Sequence, residues 1–249
     1  MSSDPVEEHR LRVERNVRDL VQDKELRKRS LAWMCEAGQH EYSYNFRWLG
    51  RPIIQYPQDL MALQEILWEY KPDLVIETGI AHGGSLIFHA SILELIGGDG
   101  RVVGIDIDIR KHNRAEIEAH RMFKRITLIE GPSTEEATVS KVRELAKGKG
   151  SVMVILDSNH TRDHVLKELE VYSPLVTKGN YLVVFDTSIE DTPDGYYDGK
   201  PVPWRKGNNP KTAVHDFLRK NDRFVIDEGI ESKLLVTACP DGYLRCVKG

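Results

Sequence analysis

Cysteine is scarce. Three residues in 249, Cys35, Cys239 and Cys246, are odd in number and lack metal-site spacing. That excludes a disulfide framework and a thiolate zinc module, and it favours a reducing, cytoplasmic setting. No apolar run reaches the roughly 18 residues a membrane-spanning helix needs. The charged N-terminus, with Glu7, Glu8, Arg10 and Arg12, carries no apolar signal core. Excess charge is small as well: 35 basic against 39 acidic side chains leave a formal net charge of -4. No general attraction to nucleic acid is therefore expected, and the basic cluster Lys24–Arg29 reads as a solvated helix face. Internal repeats and low-complexity tracts are missing. These absences leave a soluble, intracellular protein with a small-molecule partner.

What is present is an alternation. From Asp73 onward, apolar runs at 73–77, 102–106, 126–130, 152–157 and 180–186 read as strands. Helical stretches near 84–97, 111–122, 134–147, 161–174 and 210–220 separate or follow them. Such βα alternation predicts an α/β fold, Rossmann-like and doubly wound, around a mostly parallel seven-stranded sheet. Residues 223–226 and 243–247, with 233–236 as a further partner, supply an edge hairpin. Residues 1–60 read as an N-terminal helical and loop extension, serving as an oligomer interface or as a cap over the site, and residues 61–249 as the α/β domain. Within that extension, 5–34 is helical, with Val13, Val17, Leu20 and Val21 on one stripe. The stripe suits packing on the same chain or a homo-oligomer interface. Glu41–Pro57 reads as loop, and Pro57 opens a helix.

Chemistry gathers at the strand ends. Leu74, Val75 and Ile76 lead into Glu77, Gly79, His82, Gly83, Gly84 and Ser85, so the acid and the glycines stand at the carboxyl end of a strand. Open α/β sheets bind ligands there. The glycines let the backbone turn tightly and approach a small molecule. Their spacing is not the G-x-G-x-x-G of a dinucleotide site, and an acid at the tip suits a ligand bearing an ammonium group. Asp106, ending the next strand, is placed to accept hydrogen bonds from ribose hydroxyls, while Asp108 suits a helix cap. Ser133 and Glu136 have capping-box spacing. Asp157 and Asp186 end strands expected to be neighbours. Two such carboxylates repel unless a proton or cation lies between them, and oxygen ligands suit Mg²⁺. His160 follows Asp157 by three residues, and an imidazole is a suitable base near neutral pH. His160 and His164 at i, i+4 leave open a two-histidine, one-carboxylate iron site with Asp157 or Asp163.

The Glu77-x-Gly79-x-x-x-Gly83-x-Ser85 pattern resembles the first motif of S-adenosylmethionine (SAM) dependent methyltransferases, notably the catechol O-methyltransferase type. Asp157-Ser-Asn-His160 matches macrocin-type and mycinamicin-type sugar O-methyltransferases, where histidine stands in place of the catechol enzyme's lysine. From about Arg47 onward, with Trp48–Leu60, Glu77–Ser85 and Trp204–Phe217, the chain resembles the family of cephalosporin hydroxylases and rhamnosyl O-methyltransferases. The resemblance implies a class I fold, SAM, and Mg²⁺ or a similar divalent cation. It implies an acceptor such as a rhamnose-type deoxysugar, nucleotide-linked (TDP-rhamnose at its 3′-hydroxyl) or already in a glycoside, in natural-product biosynthesis. It also implies roles: Glu77 for the methionine ammonium, Gly79, His82, Gly83 and Ser85 around the methionine, Asp106 for the ribose and Ser133 beside the adenine. Asp157, which also borders the cofactor, and Asp186 would hold the metal, with His160 as base. One departure stands out: several members carry a Glu-Asp pair where this chain has Phe185-Asp186-Thr187, so the third metal ligand is unassigned, with Glu190 and Asp191 nearby. The loop 188–210, with Tyr196, Tyr197, Trp204 and Arg205, suits a lid. An Fe(II) hydroxylase using His160, His164 and an aspartate is the alternative, and an NAD(P) oxidoreductase is disfavoured by the glycine spacing.

Overall fold

Runs of β-branched and aliphatic residues form the sheet, as their lack of alternation requires for strands covered on both faces. The computed structural model describes residues 4–249. Two helices, α1 (Pro5–Gln22) and α2 (Lys24–Gly38), precede a short hairpin, β1 (Phe46–Trp48) and β2 (Arg51–Ile53). Then come α3 (Pro57–Tyr70), β3 (Leu74–Thr78), α4 (Gly84–Ile96), β4 (Arg101–Asp106), α5 (Lys111–Ala119) and β5 (Ile126–Glu130). The second half continues with α6 (Glu136–Ala146), β6 (Val152–Leu156), α7 (Arg162–Tyr172), β7 (Tyr181–Val184) and α8 (Pro210–Leu218). It closes with β8 (Phe224–Ile226), α9 (Glu228–Lys233) and β9 (Tyr243–Cys246). The seven-stranded sheet has the order β5-β4-β3-β6-β7-β9-β8, with β9 antiparallel to both neighbours. Strand order reverses between β3 and β6, so a crevice opens at their carboxyl ends. Alternate residues serve opposite cores: Val75, Met153 and Val183 one face, Ile76, Val154 and Leu182 the other.

Several expectations need correction. The 5–34 helix is two helices, broken at Asp23, whose carboxylate caps α2 by accepting from the Leu26 N–H at 2.8 Å. No residue of α1 is buried; Val17 and Leu20 are half-covered, Val13 and Val21 exposed, and the helix lies beside α9 and α2. Residues 233–236 form no strand: α9 ends at Lys233 and irregular backbone follows. The Ser133–Glu136 capping box does not form: α6 starts at Glu136, behind an N-cap at Glu135 that makes no side-chain bond. Nor does Asp108 cap α5, whose N-cap is Arg110. The expected division at residue 60 falls inside α3. Among the described residues no helix is long and apolar enough to cross a membrane.

The segment expected as loop before Pro57 is instead part of the fold. Trp48 donates its indole N–H to Ser91 Oγ at 2.9 Å and meets Phe88 edge-to-face, which pins the hairpin onto α4. Closer in, a Cβ on Gly84 would stand 2.1 Å from the Pro52 carbonyl oxygen, and one on Gly79 (φ +80°) would stand 2.0 Å from that of Asp157. Both positions need glycine because protein backbone occupies the space a side chain would take. Behind the hairpin, Asp59 of α3 is wholly buried and accepts from the Thr237 and Tyr243 hydroxyls and the Ala238 N–H. It thereby ties the N-terminal segment to the last strand's approach.

Gly84→Ala is expected to destabilise the fold by about 1–3 kcal/mol, the usual cost of overpacking, as a lower denaturation midpoint. A second expectation concerns pH. Burial lifts the Asp59 carboxyl to about 6, against an ordinary 3.8. The folded chain therefore keeps a proton there that the unfolded chain has released, so this stabilisation is present below 3.8 and lost as pH rises through about 6. The stability difference between wild type and Asp59→Asn, measured by chemical denaturation with chelator present, should shift against the wild type by roughly 2 kcal/mol between pH 4 and 7.

Candidate active site and metal centre

The tips of β3, β4, β6 and β7 meet at the crevice. Asp157 N–H donates to the Thr78 carbonyl at 2.9 Å and Gly79 N–H to that of Ile105 at 2.8 Å, so the strand ends stay laced beyond the last paired residues. Three adjoining hollows follow this line. The largest, about 300 Å³, is bordered by Tyr44, Tyr56, Asp157, His160, Phe185 and Asp186. One of about 190 Å³ is bordered by Ser133, Asn159 and His164, and shares Gly79, Asp106 and Ser158 with the first. A recess of about 30 Å³ takes in His82 and Ser85 and shares Gly79 and Asp157 with the first.

Asp157, His160 and Asp186 form the one group of three potential metal ligands among the described residues, with donor atoms all within 4.8 Å of one another. His160 Nε2 lies 3.1 Å from Asp186 Oδ2, and the edge of the ring pair it makes with Trp204 sets their centres 4.8 Å apart. Burial, then the carboxylates of Asp186, Glu77 and Glu168, push the Asp157 carboxyl well above the usual range. No lysine or arginine borders the large hollow to offset this charge. Two carboxylates and an imidazole without a fixed counter-cation fit a divalent ion. Asp186 adopts a left-handed backbone (φ 57°), which is why β7 stops at Val184. Non-glycine residues held there concentrate at functional sites. Tyr56 is pushed up to about 12, chiefly by burial and then by Tyr196 and Asp186, so it faces the hollow as a neutral phenol.

Most expected site residues converge, and some do not. Asp106 borders two hollows and reaches across to the glycine loop, accepting from the Ile80 N–H at 3.0 Å. Glu77, by contrast, is 2% exposed and borders none of the three hollows. Its carboxylate accepts the Ser85 hydroxyl and lies 3.1 Å from His89 Nε2, beneath the loop. Gly83 likewise shapes the turn into α4 rather than a wall. The two-histidine iron set does not assemble. His164 Nε2 is held near Ser133 Oγ (3.3 Å), Ser158 Oγ (3.1 Å) and Glu168, in the second hollow, and stands outside the metal group. Glu190 and Asp191 are engaged elsewhere, with Gly207 and Asn209 and with Lys211 respectively. Of the lid aromatics, Trp204 reaches His160, while the Tyr196 hydroxyl donates to the Cys35 carbonyl at 3.2 Å.

The sequence left the N-terminal extension as an oligomer interface or a cap over the site, but named none of the wall residues it supplies: Ser43, Tyr44, Gln55 and Tyr56. The signal lay in Trp48–Leu60, which carried a resemblance but no assigned chemistry.

Comparison with known proteins covers the same ground. Residues 40–247 match the family described as Rhamnosyl O-methyltransferase/CmcI. The Rhamnosyl O-methyltransferase of Mycobacterium leprae (strain TN) is 33% identical over 199 residues, 79% of this chain and 81% of that protein. Its counterpart from Mycobacterium tuberculosis (strain ATCC 25618 / H37Rv) is 33% identical over 189 residues, 75% of this chain and 72% of that one. A ligand-free CmcI structure superposes with TM-score 0.61 at 21% identity, over 83% of this chain and 78% of that one. A CmcI structure with Mg and SAM gives 0.56 at 20%, over 82% and 78%. The structural likenesses speak for the fold, and the sequence match spans the hairpin, the glycine loop and both aspartate tips. The chain belongs to the rhamnosyl O-methyltransferase/CmcI family.

Proposed function

We propose that this chain transfers the methyl group of SAM to a hydroxyl of a rhamnose-type deoxysugar, with help from Mg²⁺ or a similar divalent cation. The observation that carries the reading is the Asp157–His160–Asp186 group set beside the glycine loop at the sheet's switch point. SAM, when bound, supplies an electrophilic methyl and leaves as S-adenosylhomocysteine. Asp106 holds the ribose hydroxyls, Ser133 borders the adenine, and Gly79, His82 and Ser85 line the methionine end. Glu77 serves that end through Ser85: by accepting the Ser85 hydroxyl proton it turns the oxygen's lone pairs outward, toward an ammonium.

Asp157 and Asp186 hold the cation, whose charge, when present, acidifies an adjacent sugar hydroxyl and fixes its direction. His160 accepts the hydroxyl proton, and Asp186 steadies the imidazolium that results. Trp204 shields the imidazole from the lid side, and the rings of Tyr44 and Tyr56 offer flat walls to a sugar. TDP-rhamnose methylated at its 3′-hydroxyl, or a rhamnosyl glycoside, in a natural-product pathway in the cytoplasm, is the acceptor this reading favours. The relatives named Rhamnosyl O-methyltransferase support the rhamnosyl part of that reading.

Calorimetry is expected to detect SAM binding and no NAD⁺ binding. His160→Ala should lower turnover about 100-fold or more with SAM affinity nearly unchanged, and chelation should abolish turnover reversibly. Equal loss of binding and turnover in His160→Ala would assign that residue to structure instead.

A further inference from the structure

Among the described residues, the hydrogen bond that Asp157 accepts from a side chain comes from 102 positions earlier. Gln55, just past β2, donates its Nε2–H to Asp157 Oδ2 at 3.1 Å. Gln55 is 93% buried, at 7% exposure, and its backbone N–H is held by the Ser43 carbonyl at 3.2 Å. Two positions earlier, Ile53 is buried in the core, and its backbone with that of Pro52 abuts Gly84 of α4, so the amide is delivered by a rigid segment. The aspartate it meets lies amid Asp186, Glu77 and Glu168. A lysine or arginine in Gln55's place would neutralise that charge and compete with a cation. A neutral amide donor fixes the carboxylate without doing so. With Oδ2 engaged by Gln55, Oδ1 is the oxygen left free to turn toward His160 and Asp186.

We propose that Gln55 is a positioning residue for the metal centre: it locks the Asp157 rotamer, so that the N-terminal hairpin sets the affinity of the cation site. The proposal rests on the reading of Asp157 as a metal ligand. Partners that orient a ligating carboxylate typically contribute about 10–100-fold in metal affinity. The shape of Gln55 and its donor can be separated. Gln55→Met keeps the volume and removes the amide, whereas Gln55→Asn keeps an amide but is smaller by one methylene.

The test is Mn²⁺ binding followed by electron paramagnetic resonance of the free ion, on the full chain, with Asp157→Asn as control and SAM affinity measured alongside. Wild type should bind Mn²⁺ and Asp157→Asn should not. Gln55→Met should weaken Mn²⁺ about tenfold or more, by a larger factor than it weakens SAM, and Gln55→Asn should weaken Mn²⁺ less. Unaltered Mn²⁺ affinity in Gln55→Met, or the reverse order of the two variants, would overturn the proposal and leave the metal reading standing. Absence of Mn²⁺ binding by the wild type would overturn the metal reading, and the role of Gln55 with it.

Discussion

Two like charges on neighbouring strand tips govern this molecule. Parallel pairing of β6 with β7 brings Asp157 and Asp186 together at the carboxyl edge, and the half-buried position of both thins the water that would screen them. Everything around them bears on that repulsion. An imidazole stands against one carboxylate and an amide against the other. A site of this kind gains affinity for a cation from the same electrostatics that would otherwise cost stability.

The glycine loop illustrates how one motif meets two demands. Gly79 and Gly84 are required because peptide groups of other segments pass within van der Waals reach, those of Asp157 and Pro52. Glu77, which on sequence alone looks like a ligand-facing acid, is instead a buried brace between Ser85 and His89. The loop is held from below by the Glu77 carboxylate and from above by backbone, and its rim opens on the hollows. Ser85 is the residue in which the two layers touch.

Much of this was legible in the chain. The five parallel strands and their order of polar tips follow from continuous apolar runs ending in Glu77, Asp106, Asp157 and Asp186, because a strand buried on both faces has nowhere to place an acid except its end. His160 was legible by its spacing from Asp157. The rest depended on distant partners that no local pattern records. The hairpin at 46–53 is three residues a strand and reads as loop until Trp48 finds Ser91. Ser133 looked like a cap, yet His164 and Tyr172 from α7 claim it instead. His160 and His164 share a helical spacing but face different hollows, since α7 begins only at Arg162 and His160 lies before it in irregular backbone.

Asp59 carries a consequence for the order in which the protein takes shape. Its three donors come from residues 237–243, near the far end of the chain, while Asp59 itself belongs to the first quarter. During synthesis the hairpin and α3 emerge long before those donors exist, so the N-terminal wall cannot seat finally until β9 has closed the sheet. Contacts so distant along the chain are slow to form. The floor of β3, β4 and β6 needs none of these late contacts, whereas the largest hollow, bordered by Tyr44 and Tyr56 on one side and Ala238 on the other, takes its final shape only once residues 237–243 have met Asp59.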